Sequence, residues 1–129
     1  MSHRPITPDG LFSPRGHYSP AVVHNNTVYV SGQLAVRADG TVALDSVEAE
    51  VEQCMANIST ILQAAGSGLE HILRVQIFVT DMALWARVNA SYAAIMGEHR
   101  PARLIIPCGP LNRGCSVEID CIAAVASHD

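Results

Sequence analysis

The strongest constraint on the fold lies between residues 46 and 66. Val47, Val51, Cys54, Ile58, Ile61 and Ala65 recur at intervals of four, three, four, three and four. That spacing puts all six on one face of a helix, and such a face must be buried against another element. Asp45 before the run, with Glu48 three residues on, predicts an N-terminal capping pair, and Gly66 predicts the stop. The stripe also assigns Cys54 to the core as an apolar side chain. Just beyond it the period changes from helical to two. Leu73, Val75, Ile77 and Val79 alternate with Arg74, Gln76, Phe78 and Thr80, which predicts a strand over Ile72–Thr80.

The remaining segments fit around this pair. The Pro- and Gly-rich start allows one short strand near Ile6. Strands are expected at Tyr18–Val23 and, after an Asn25-Asn26 turn, from Thr27 onward. Ser31-Gly32-Gln33 interrupts the second, and a glycine inside a strand marks a bulge or a close approach to the backbone. Leu34–Val36 and Thr41–Leu44 read as a hairpin about Asp39-Gly40. A second helix is expected from Asp81 to Met96, burying Leu84, Trp85, Val88, Tyr92, Ile95 and Met96, with Asn89 just off that stripe. Two strands close the chain, about Arg103–Cys108 and Ser116–Ala124. In the last, Val117, Ile119 and Cys121 share one face, and Glu118, Asp120 and Ile122 the other.

The order β-β-β-α-β-α-β-β has no repeat and no linker. It predicts one α+β domain over residues 1–129: a single sheet of about six strands with two helices on one face. The uncovered face would carry Phe78 and Ile122 beside Glu118. A half-apolar open face on a small domain predicts self-association as a closed homo-oligomer.

Composition removes several classes of function. All eight basic residues are arginine, so no lysine can form a Schiff base with a substrate or with pyridoxal phosphate. The net charge of −4 argues against a nucleic-acid partner. The four cysteines contain no CxxC pair, and no two histidines have helical ligand spacing. Neither a Gly-rich phosphate loop nor a GxSxG elbow occurs. No metal and no cofactor is therefore expected. No apolar run approaches the roughly 18 residues of a membrane span, and a reducing, cytoplasmic setting is the expectation.

Arg103 opens the apolar run Leu104-Ile105-Ile106. A guanidinium at the mouth of a buried strand costs several kcal/mol unless an anion meets it. That anion is either a carboxylate of the protein, such as Glu118 or Asp120, or a ligand. Arginine suits a small carboxylate because its planar fork binds both oxygens. Backbone N–H groups beside Gly32 or Ile105 would add donors. Glu118, desolvated on an apolar face, would have a raised pKa and shuttle a proton. Cys108, between Pro107 and Gly109, is a weaker candidate as a reactive thiol.

Several stretches together resemble the Rid/YjgF family. They are Gly16-His17-Tyr18-Ser19-Pro20-Ala21, Val30-Ser31-Gly32-Gln33, Asn57 to Gly66, Val79-Thr80-Asp81-Met82, Val88-Asn89, Tyr92, Pro101-Ala102-Arg103 and Val117-Glu118-Ile119. They cover nearly the whole chain in order. Leu104 and Ile105 stand where many members carry Ser or Thr followed by Cys or Val. The resemblance implies a chorismate-mutase-like fold, a homotrimer, and ligand sites in clefts between subunits. It also implies hydrolysis of 2-enamino and 2-imino acids to 2-keto acids and ammonia. In that reading Arg103 holds the substrate carboxylate and Glu118 positions or activates water. Tyr18 and Asn89 line the cleft, and the backbone at Gly32 and Ile105 contacts the ligand. Three classes of function stay open: this deaminase, a non-catalytic binder of small keto or amino acids, and a ribonuclease, an activity ascribed to some relatives.

Overall fold

A computed structural model describes residues 2–126; Met1 and residues 127–129, among them His128, lie outside that span. Six strands form one sheet. They are β1 (Arg4–Ile6), β2 (Ala21–His24), β3 (Thr27–Gln33), β4 (Ile72–Val79), β5 (Ala102–Pro107) and β6 (Val117–Ala124). Their spatial order is β1-β2-β3-β6-β4-β5. Every pairing is antiparallel except β4 with β5. A parallel pair needs a long crossover, and the helix α2 (Trp85–Met96) supplies it. The other helix, α1 (Val47–Ala64), lies across β3 and β6 with α2 beside it. The α+β reading of the sequence, one mixed sheet with two helices, describes this architecture.

The core follows from the two periods. In β6, Val117, Ile119, Cys121 and Ala123 are buried, and the residues between them are half-exposed. Val28 and Val30 of β3 and Val75, Ile77 and Val79 of β4 join them against α1 residues Val51, Cys54, Ile58 and Ile61. Cys54 has no exposed surface, as its place in the stripe predicts, and burial pushes its thiol pKa well up.

Local details depart from the sequence reading, each for a physical reason. Ser46, not Asp45, caps α1: its hydroxyl accepts from the Ala49 N–H at 3.0 Å. Asp45 instead accepts from Arg37 at 3.3 Å. Glu48 completes no capping pair because Arg87 of α2 grips both its oxygens at 2.7 Å. The 34–44 hairpin shrinks to one bridge, Val36 to Val42. Asp81 caps a 3-10 turn, Met82–Leu84, and α2 begins only at Trp85, which is exposed rather than part of the buried stripe. In β4 the pairing slips between Ile72 and Arg74, so Ile72 turns inward and Leu73 is 53% exposed. β5 is not a buried strand in the single chain. It is the sheet's outer edge, and none of its residues is fully buried.

Two polar residues of α1 lie inside the core. Glu50 is 4% exposed, and its carboxylate accepts from the backbone N–H of Ser116 at 2.7 Å and of Val117 at 3.3 Å. Asn57 is 6% exposed and donates to the carbonyls of Leu34 at 3.2 Å and Val36 at 3.0 Å. Each ties a strand end to the helix. Removing the Glu50 carboxylate would take the acceptor from both N–H groups, the one at Val117 being buried. Glu50→Ala is therefore expected to cost about 2–3 kcal/mol in urea unfolding at fixed protein concentration. Glu50→Gln, which keeps an accepting oxygen, should lose less than half of that. Wild-type stability in Glu50→Ala would contradict the assignment.

Candidate functional site

Two hollows among the described residues flank the sheet, and all the candidate residues but Ile105 divide between them. The first, about 430 Å³, is lined by Tyr18, Gly32, Asn57 and Glu118 together with Arg15 and Arg113. The second, about 520 Å³, is lined by Asn89, Tyr92, His99, Arg100 and Arg103. Ile105 lines neither.

The division follows from strand register. Arg103 stands beside Val75, and Val75 beside Cys121. Both of those neighbours are buried under the helices, so Arg103 emerges on the helical side. Glu118 pairs with Phe78, which pairs with Ile106, and all three belong to the opposite, open face. Within one chain Arg103 and Glu118 therefore cannot act on the same small molecule.

Arg103 is held without a carboxylate. It donates to the Asn89 side-chain oxygen at 2.7 Å. Its guanidinium carbon lies 5.3 Å from the centre of the Tyr92 ring and 5.9 Å from that of Trp85, within cation–π range. Among the described residues the ion pairs are Arg37–Asp45, His71–Glu70 and Arg87–Glu48, and Arg103 enters none of them. The Tyr92 hydroxyl is buried and has no partner among the described residues. Its burial raises its pKa, partly opposed by the cation beside it.

Glu118 lies over β3 because position 32 has no side chain. A Cβ built on Gly32 would stand 2.8 Å from one Glu118 oxygen. The requirement is for space, and the β3–β6 pairing shifts register between Val30 and Gln33, at the interruption visible in the sequence. Ser31 anchors that bulge to the Tyr18 segment: its N–H donates to the Pro20 carbonyl at 2.9 Å and its hydroxyl to the Ser19 carbonyl at 2.6 Å. Burial pushes the Glu118 pKa up, and the like charge of Asp120 adds to the shift. Asp120 is raised by its own burial, against the pull of Arg74. A carboxyl in this state can take a proton from water and return it at modest cost.

Sequence reasoning missed the residues that hold these walls. Asn57 lines the first hollow and fixes its 34–36 rim, while Glu50 fixes the backbone just before Glu118. The signal was available: positions 50 and 57 fall on the apolar face of α1, where a polar residue must have a partner. Arg15 and Arg113 also went unremarked, although each lies within a few residues of a candidate, Tyr18 and Glu118.

Comparison with known proteins bears on the family and the fold. The family model described as Endoribonuclease L-PSP matches residues 10–125. The chain is 32% identical to Protein HMF1 of Saccharomyces cerevisiae, over 93% of each chain. Its structure is similar to that of RidA from the Antarctic bacterium Psychrobacter sp. PAMC 21119, with a TM-score of 0.90 at 32% identity, covering 95% of this chain and 99% of that one. It is also similar to the YjgF gene product of E. coli, with a TM-score of 0.89 at 31% identity and the same coverage. With a family model spanning most of its length, the chain belongs to the YjgF/Rid family, the family of Endoribonuclease L-PSP.

Proposed function

We propose that the protein hydrolyses 2-imino and 2-enamino acids to 2-keto acids and ammonia, at sites completed between copies of a closed homotrimer. The observation that carries this reading is Arg103: a half-buried cation with no carboxylate partner among the described residues, on the face opposite Glu118. A ligand touching both must bridge two chains. The contact then joins two different patches, one around Arg103 and one around Glu118. Either a two-fold pair or a ring could close such a contact, and the likeness to the Rid/YjgF family favours a ring of three. The open face offers apolar cover for the joint: Ile106 is 38% and Tyr29 47% exposed, with Phe78, Leu104 and Ile122 half-exposed beside them. Likeness to a structure named RidA favours the same reading. The net charge of −4 weighs against RNA as the substrate.

The chemistry asks little of the protein. Arg103 takes the substrate carboxylate through two parallel N–H···O bonds. Water adds to the C=N carbon while Glu118 accepts its proton and passes it to the nitrogen. The resulting carbinolamine then loses ammonia as its hydroxyl proton moves to the amine by the same carboxylate. Holding the acid and moving protons contributes about 10²–10⁴-fold, enough for an electrophile that already reacts with water.

A coupled assay tests this by generating 2-iminopropionate in situ and following ammonia release. Arg103→Ala is expected to lose about tenfold to hundredfold in kcat/KM, and Arg103→Lys to recover only part of it. If wild type and Arg103→Ala both match buffer across imine substrates, the deaminase reading fails.

Glu118 gives a second prediction. The base must be ionised, so kcat/KM should fall on acidification through a pKa above the ordinary 4.5. The sign for stability is opposite. A raised folded pKa means that the folded chain binds this proton more tightly than the unfolded chain, so stability is lost as pH rises through it. Glu118→Gln should therefore melt higher than wild type at pH 7 while losing activity. A lower Tm with activity retained would contradict both roles.

A further inference from the structure

The first hollow contains more positive charge than a three-carbon acid needs. Arg15 and Arg113 come from segments nearly a hundred residues apart, yet both settle on one ring. Their guanidinium carbons lie 5.2 Å and 5.4 Å from the centre of Phe12. Phe12 is itself seated on the Gly40 turn, where φ is +89° and an added Cβ would stand 2.8 Å from the ring. Arg113 reaches that turn as well, donating to the Gly40 carbonyl at 3.4 Å. The Arg113 backbone is held at φ 61°, a left-handed conformation that a non-glycine residue rarely adopts. Neither arginine belongs to any of the ion pairs found among the described residues. Both line the hollow that Glu118 lines. Its volume of about 430 Å³ falls within the range of pockets that take ligands much larger than a three-carbon acid.

We infer that Arg15 and Arg113, braced on Phe12, form a second carboxylate site in this hollow, so that the preferred substrates are 2-imino dicarboxylic acids. The inference rests on the deaminase reading for the word substrate but not for the binding itself. Arg103 of a neighbouring copy takes the carboxylate next to the imine. Arg15 and Arg113 take the distal one, on the side of the ligand away from the C=N bond. The aromatic brace restricts both guanidiniums before the ligand arrives, which lowers the ordering cost of binding. Two cations outweigh the single Glu118 charge in the same lining. A ligand with one carboxylate leaves them unanswered.

The test uses unreactive 2-keto acids as probes on the intact protein. Isothermal titration compares 2-oxoglutarate, with two carboxylates, against 2-oxobutyrate, with one. Wild type is expected to bind 2-oxoglutarate about tenfold or more tighter, the worth of one charge-assisted contact. In the double variant Arg15→Gln with Arg113→Gln the ratio should fall toward one. Both positions are exposed, and an unchanged melting curve verifies that the variant is folded. Equal affinities in wild type, or a preference that survives in the double variant, would overturn the inference. The ammonia assay runs in parallel with imines of aspartate and alanine. Release from the alanine imine without any preference between the keto acids leaves the deaminase standing and removes the dicarboxylate site. A keto-acid preference with no release from either imine does the reverse.

Discussion

The two-residue alternation of β6 governs the molecule. This strand runs through the sheet between β3 and β4, and it cannot turn both sets of side chains the same way. Val117, Ile119, Cys121 and Ala123 face the helices and close the core. Glu118, Asp120 and Ile122 are thereby committed to the open face. A one-residue slip would bury two carboxylates and expose the core set, so the register is strongly fixed. The cost of this arrangement is electrostatic. Glu118 and Asp120 lie on the same face of one strand, partly desolvated, and both have raised pKa values. A fold selected only for stability would place neither there.

Helix α1 connects that core to the hollow beside it. Its apolar stripe does what such stripes do, but Glu50 and Asn57 lie among the buried residues as well. Their partners are backbone groups, at Ser116 and Val117 in one case and at Leu34 and Val36 in the other. Those groups belong to the segments that carry Glu118 and the rim beyond Gly32. The same helix thus packs the core and sets the positions of two walls. Gly32 leaves the space between them, and the Glu118 carboxylate occupies it.

The fold was largely legible in the sequence because its two long periodic segments, α1 and β4, admit few alternatives, and the alternation of β6 could be assigned residue by residue. What was not legible came from interactions between distant segments. Asp45 looks like a cap, but Arg37 takes it, and Ser46 one residue later does the capping. Leu73 fits the strand period, but the slip between Ile72 and Arg74 turns it outward. Trp85 fits the helical stripe, but α2 begins there and leaves it exposed, within cation–π range of Arg103. The candidate site was legible as residue types and not as a place. Arg103 and Glu118 are only fifteen positions apart, and nothing in their spacing reveals that the sheet separates them. Arg15 and Arg113 meet on Phe12 only because the chain folds its first and last thirds together at the Gly40 turn.

The central claim is that the cation and the carboxylate acting on one ligand come from different chains. It is tested most directly by mixing two impaired variants, each measured alone as the baseline. Arg103→Ala and Glu118→Ala are purified separately, unfolded together in equal amounts, refolded, and assayed for ammonia release from an imine. In a ring of random composition about a quarter of the junctions pair an intact Glu118 with an intact Arg103, and activity should return in that proportion. A mixture no more active than either variant alone would mean that the two residues do not meet across a junction, and the account would be wrong.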